Sequence, residues 1–217
     1  MRKYGLLLLG SLALLLCVKI SFASPITGNL KGRVTLVEYY DYECPHCRRM
    51  ETVIDHLEAA YPQLQVVHRA TPLLTAQSRG IASIALAAKA QGQWRSVHQA
   101  LMRLPNTPTI TNTENIVSAL GLNVGLLFKD AQQASIQKQL RQNIKLAGKY
   151  ATNGAIYFPL LVFKPSKDKG QSIVLRGEQP YALLSAIVQQ LSGEAHVQMV
   201  KQTHRRRKTR KNTTRKV

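Results

Sequence analysis

Apolar positions along the chain change period several times, and each change marks an element. Val34-Thr-Leu-Val-Glu-Tyr-Tyr40 is a run of β-branched and aromatic residues, the composition of a strand entering a core. Directly behind it Met50, Val53, Ile54 and Leu57 recur at i, i+3, i+4 and i+7, which predicts a helix over 45–61. Pro45 suits the first helical position, where its missing N–H costs nothing. Residues 64–69 read as a second strand, and the connection is long enough for a right-handed parallel crossover.

From 75 to 152 the period is helical throughout. Ile81, Ile84, Ala85 and Ala88 form one stripe; Trp94, Val97, His98 and Leu101 form another, with Trp94 placed in the core of this region. Residues 104–108 interrupt the pattern. Thr111 with Glu114 reads as a capping box ahead of Ile116, Val117 and Leu120, with Gly121 as the stop. A further helix starts at Asn123 or Val124 and breaks near Ala134, and Ile136, Leu140, Ile144 and Ala147 carry a last one to Asn153-Gly154. Strand composition returns at 160–164 and 172–176, joined by a turn over 165–170 as an antiparallel hairpin. Tyr181, Leu184, Ile187, Val188 and Leu191 form a final amphipathic helix ending at Gly193. The order is β-α-β, helices, β-β-α. That predicts an α/β chain, a thioredoxin fold with an inserted helical domain over about 75–152, and a short polar lead-in at 24–32.

Composition adds two segments. Arg2 and Lys3, an apolar run over 6–18 and Ser21-Phe22-Ala23 make a secretory signal peptide over 1–23, cleaved after Ala23. The apolar run is shorter than the ~20 residues a spanning helix needs. Cys17, preceded by three leucines, lacks the small neighbour that lipid attachment requires. At the other end, nine basic residues and no acid follow from Lys201, so the net charge of +19 is concentrated in a tail over 201–217. A tail so poor in apolar residues is expected to be disordered. It could hold an anionic membrane surface at ~1 kcal/mol per basic residue, or another polyanion, or have no dedicated partner. Its charge would also attract nucleic acid, but nothing in it reads as a specific nucleic-acid motif. The body, 24–200, is one domain.

After cleavage the only cysteines are Cys44 and Cys47, in Cys44-Pro45-His46-Cys47. One pair, with no H-x₃₋₅-H spacing among the histidines, is too little for a structural zinc site. A bridge across two residues constrains almost no chain, so it is no structural disulfide. A strand, a C-x-x-C and a helix in that order indicate a redox dithiol. Cys44 falls at a helix N-terminus, where unpaired amides favour an anion. A free thiol titrates at about 8.5, and such sites lower it to roughly 3.5–7.5. Cys44 is therefore the attacking thiol, more exposed, and Cys47 the resolving one, more buried. His46, if positively polarised, steadies the Cys44 thiolate; otherwise it occupies an exposed helix position. Glu38 is a carboxylate on a strand that should be central, where an unpaired acid is costly, unless it faces a wet edge. Phe158-Pro159 opens the third strand, a place where proline is tolerated. His68 and His98 lie on apolar stripes and read as satisfied core or surface histidines.

Residues 38–47, with Cys-Pro-His-Cys at their end, resemble the active-site segment of the DsbA family of periplasmic thiol:disulfide oxidases, and the order of elements agrees over 33–191. The resemblance implies a dithiol oxidase that needs no organic cofactor or metal. It would pass its disulfide to cysteine-containing secreted clients and be reoxidised by a quinone-linked membrane protein. It implies that Glu38 is the buried acid exchanging protons with Cys47, and that Pro159 is a cis-proline facing the dithiol beside the edge that binds clients. Phe158 and Tyr157 depart from the family, which usually has valine or threonine before the proline and a glycine just upstream. An isomerase or reductase could use the same dithiol, although 24–32 is too short for the dimerisation domain that isomerases of this type carry. In a third reading, the tail is the functional part.

Overall fold

The computed structural model describes residues 24–166 and 170–193. The signal peptide expected over 1–23, the basic tail over 201–217 and the middle of the 165–170 turn lie outside the described residues. Five strands form one mixed sheet: β1 (Ile26–Gly28), β2 (Val34–Tyr40), β3 (Leu64–Ala70), β4 (Leu160–Pro165) and β5 (Ile173–Arg176), in the order β1-β3-β2-β4-β5. Only β2 and β3 run parallel; the other pairs are antiparallel. Among the described residues seven α-helices accompany them, α1 (Pro45–Ala60), α2 (Ser78–Ala87), α3 (Trp94–Met102), α4 (Ile110–Ala119), α5 (Val124–Ala131), α6 (Ala134–Gly148) and α7 (Tyr181–Ser192), with a short 3-10 helix at Ala88–Gln91. This is the thioredoxin fold with its helical insertion between β3 and β4. No helix among the described residues is long and apolar enough to cross a membrane.

All seven residues of β2 are buried, because both faces of the central strand are covered. Val34 and Leu36 pack with Met50, Ile54 and Leu57 of α1 and Leu184, Ile187 and Val188 of α7. Val37 and Tyr39 face the other way, towards Ala147 of α6. By alternation Glu38 and Tyr40 share the α1 face with Val34 and Leu36. The register pairs Glu38 with His68 on β3, so both side chains project under α1. The insert has its own core, with Ile81, Ala85, Trp94, Val97, Leu101, Leu127 and Leu140. That core is continuous with Tyr40, Tyr42, Cys44 and Cys47. The dithiol thus lies at the seam between sheet and insert.

Two local expectations are corrected. The polar lead-in contains β1, whose Ile26 to Gly28 pair with Val67 to Gln65. Gly28 has φ +70, and a Cβ there would lie 2.6 Å from the Leu64 carbonyl oxygen, so this close turn onto β3 accepts glycine alone. The capping box of α4 uses Thr109 and Asn112, not Thr111 and Glu114. The Thr109 hydroxyl accepts the Asn112 N–H at 3.2 Å and the Asn112 side chain accepts the Thr109 N–H at 2.6 Å. An amide oxygen replaces the expected carboxylate, and the helix starts earlier.

Candidate active site

Cys44 is the N-cap of α1 and Pro45 its first residue. A turn that hydrogen-bonds the Cys44 N–H to the Asp41 carbonyl at 3.0 Å leads into it. Both thiols are free, and both are buried: Cys44 is 4 % exposed and Cys47 is not exposed. Cys44 is more accessible, as expected, but only through a narrow window. Its Sγ accepts the Cys47 N–H at 3.4 Å. The Cys47 thiol, the Cys47 and His46 amides and the His46 charge together lower Cys44 to about 6 against the opposing effect of burial. Cys47 is pushed well above its ordinary value by burial, by its hydrogen bond to Cys44 and by that neighbour's charge. The pair therefore holds one thiolate on Cys44 and one proton on Cys47.

His46 is exposed, and Glu178 reaches it from the β5–α7 loop. Its Nδ1 touches the Glu178 carboxylate and lies 2.9 Å from an Arg49 guanidinium nitrogen. Arg49 also grips Glu178 through Nε at 3.0 Å. Hydrogen bonds from Arg49, then from His46, hold Glu178 down to about 2. Glu178 is 132 residues from His46 in the chain, and its single position in a loop gave no sequence signal.

The Phe158–Pro159 bond is cis. The Pro159 carbonyl accepts the Gly177 N–H at 2.8 Å, which ties the start of β4 to the Glu178 loop. A cleft of about 460 Å³ lined by His46, Tyr157, Phe158, Arg176, Gly177 and Glu178 puts the proline loop beside the Cys-x-x-C. Across the site Asp41 Oδ2 accepts the Leu73 and Leu74 N–H groups at 2.8 and 3.0 Å, presenting both leucines to solvent.

Glu38 is fully buried, and neither carboxyl oxygen has a hydrogen-bond partner among the described residues. There is no wet edge. Burial, then the nearby Glu51 charge, raises it to about 8 and keeps it protonated at neutral pH. His68 Nδ1 lies 3.3 Å from Glu38 Oε2. His98 is satisfied in the core, between the Tyr42 hydroxyl at 3.0 Å and Glu51 Oε2 at 3.1 Å. Burial pushes Glu51 up, but the charge and hydrogen bond of His98, together with neighbouring positive groups that include Arg95, outweigh it and hold Glu51 at about 2. The two buried acids are thus in opposite states. Glu51 reads as an ordinary position on α1, and only its packing against α3 makes it part of this cluster.

Residues 35–189 match the DSBA-like thioredoxin domain. The chain belongs to that family. It is accordingly a DsbA-like thiol:disulfide oxidoreductase. A thioredoxin-like oxidoreductase from Silicibacter pomeroyi DSS-3 is 30% identical, with 77% of this chain and 91% of that one covered and a TM-score of 0.67. Two more distant structures share the DsbA-like fold at 21% identity and TM-score 0.67. They are the catalytic domain of Proteus mirabilis ScsC (81% and 92% covered) and the thiol-disulfide exchange protein alpha-DsbA2 of Wolbachia pipientis (78% and 87%). A 79-residue stretch is 33% identical to the Na(+)/H(+) antiporter NhaA 3 of Salinispora tropica, and spans 36% of this chain but 12% of the antiporter.

Proposed function

We propose that this DsbA-like protein is an exported dithiol oxidase working through Cys44 and Cys47. The observation that carries the proposal is the asymmetry of the two thiols, one steadied as a thiolate at the helix N-terminus and one held protonated beneath it. A client thiolate attacks Cys44 Sγ of the oxidised protein, and Cys47 leaves and takes up a proton. A second client thiolate then attacks the client sulfur bound to Cys44. The client leaves with its disulfide, oxidised by two electrons, and Cys44 leaves as a thiolate. A low-pKa leaving thiolate makes both the release fast and the disulfide oxidising. Glu38 exchanges the Cys47 proton, His46 supplies part of the field at Cys44, and the cis Pro159 loop, with Tyr157 and Phe158 in its cleft, receives the client backbone.

Reoxidation falls to a quinone-linked membrane protein in the periplasm, the compartment that the export signal at 1–23 indicates; cleavage after Ala23 completes the export. The nine basic residues from Lys201 hold the protein near an anionic envelope surface. Equilibration with glutathione buffers, with the redox state read by thiol alkylation, tests the direction of transfer. The expected potential lies well above thioredoxin's roughly −270 mV, and each ~30 mV corresponds to about 1.4 kcal/mol for this two-electron couple. A potential at thioredoxin's value would make the protein a reductase instead.

A further inference from the structure

A proton that leaves or reaches Cys47 must cross a buried region, and Glu38 is itself shut off from solvent. We propose that His68 and Thr27 relay this proton between Glu38 and Glu58, opening onto the protein surface on the side of α1 and α3 away from Cys44. The inference rests on the Cys44–Cys47 exchange proposed above and extends it to a path.

The hydrogen bonds have one consistent direction. Thr27 has a single hydroxyl hydrogen, which it donates to Glu58 Oε2. Its oxygen is then the acceptor for His68 Nε2–H, 2.8 Å away. That places the His68 proton on Nε2 and leaves Nδ1 as a lone pair facing Glu38 Oε2 at 3.3 Å. Neither Glu38 oxygen nor His68 Nδ1 has a hydrogen-bond partner among the described residues, so the two unpaired groups stand next to each other at the inner end of the path, close but not hydrogen-bonded at rest. At the outer end Glu58 is bound by Arg95 Nη1 at 3.0 Å, and Arg95 is half exposed. Asp55 and Arg95 border both the tightly packed space beside His68 and Thr27 and an outer cleft of about 540 Å³ that also touches Glu58, and the inner space has no room for a water, so the path runs through side chains. The charged and titratable groups facing His68 are Glu38 and Tyr40 from β2, Glu51, Asp55 and Glu58 from α1, and Arg95 and His98 from α3. Glu51 is committed to His98, which leaves Glu58 as the carboxylate joined to His68 through a hydroxyl.

The balance closes over a cycle. When the dithiol is reoxidised, Cys47 gives its proton to one Glu38 oxygen while the other passes its own to His68 Nδ1. His68 Nε2–H moves to Thr27 and the Thr27 proton to Glu58. The Cys47 thiolate attacks the Cys44 sulfur of the mixed disulfide, and the partner thiolate departs with the electron pair of the broken S–S bond. When a client opens the disulfide, one proton runs the same way inward to Cys47. One outward and one inward passage return His68 to its starting tautomer.

The test uses the full-length protein carrying a Cys44–glutathione mixed disulfide and follows its closure to Cys44–Cys47, quenched with acid and read by mass. Thr27→Val keeps the shape of the side chain and removes the hydroxyl; Thr27→Ser restores the hydroxyl. Closure is expected to slow at least about tenfold in Thr27→Val and to recover in Thr27→Ser. Glu58→Gln, at the outer end, should slow it in the same way. The reduction potential should stay put in all three, because a relay speeds both directions alike. Wild-type closure rates in Thr27→Val and Glu58→Gln overturn the relay while leaving the exchange chemistry intact. Slow closure accompanied by a shifted potential that Thr27→Ser fails to restore also overturns it, as a structural effect. A wild-type mixed disulfide that never closes removes the exchange reading itself.

Discussion

At the scale of single residues, the site is a set of groups moved off their ordinary titration by burial and by one another. Glu38 is the clearest. Its carboxyl titrates at about 8 in the folded protein against 4.5 ordinarily, so between those values the folded chain holds a proton that the unfolded chain has lost. Stability must therefore fall as pH rises through that window. Glu38→Gln, which cannot ionise, is expected to flatten this slope, by a few kcal/mol across the window since one pKa unit is about 1.4 kcal/mol. Urea unfolding of both proteins at several pH values checks it; parallel pH profiles would show that Glu38 is ionised in the fold. The identities of Cys44, Cys47, His46 and Glu38 are legible in the sequence because each follows from a local rule, a motif or a carboxylate out of place in a strand. Glu178 and Glu51 follow from none.

Among the elements, caps and close approaches fix where segments begin. Thr109 and Asn112 close the N-terminus of α4 on each other, and Thr109→Ala should destabilise the protein by ~1 kcal/mol, seen as a lower urea midpoint with an unchanged m-value. Thr111→Ala should do little, and a larger loss there than at Thr109 would contradict the observed cap. Most elements are legible from period alone, because helix and strand periodicity is written within a window of a turn or two. β1 was not. Three residues carry no period, and this strand exists because β3 offers it an edge and Gly28 lets the chain turn tightly onto Leu64.

For the molecule as a whole, the lowered Cys44 titration ties redox state to stability. The thiolate is stabilised in the fold, with Cys44 at about 6 against 9.0 ordinarily. A group lowered in this way contributes fully above 9.0 and loses its contribution as pH falls through about 6. Only the reduced protein has this thiolate. Near neutral pH the reduced form should therefore unfold at higher denaturant than the oxidised form, and the gap should shrink as pH is lowered through that range. Equal midpoints at all pH values would mean that the fold does not favour the thiolate, and the oxidising character would go with it.

The sequence by itself determines the order of elements, the thioredoxin core with its insert, the dithiol and its place at a helix N-terminus. These depend on neighbours a few residues apart, where backbone geometry leaves few choices. Tertiary structure alone decides that Glu178 meets His46 across 132 residues and that β2 and β3 register Glu38 beside His68. It alone decides, too, that Thr27 stands between His68 and Glu58. Such partners are chosen by packing, since a side chain's distant neighbours are fixed only when the sheet order and the helix faces are fixed together.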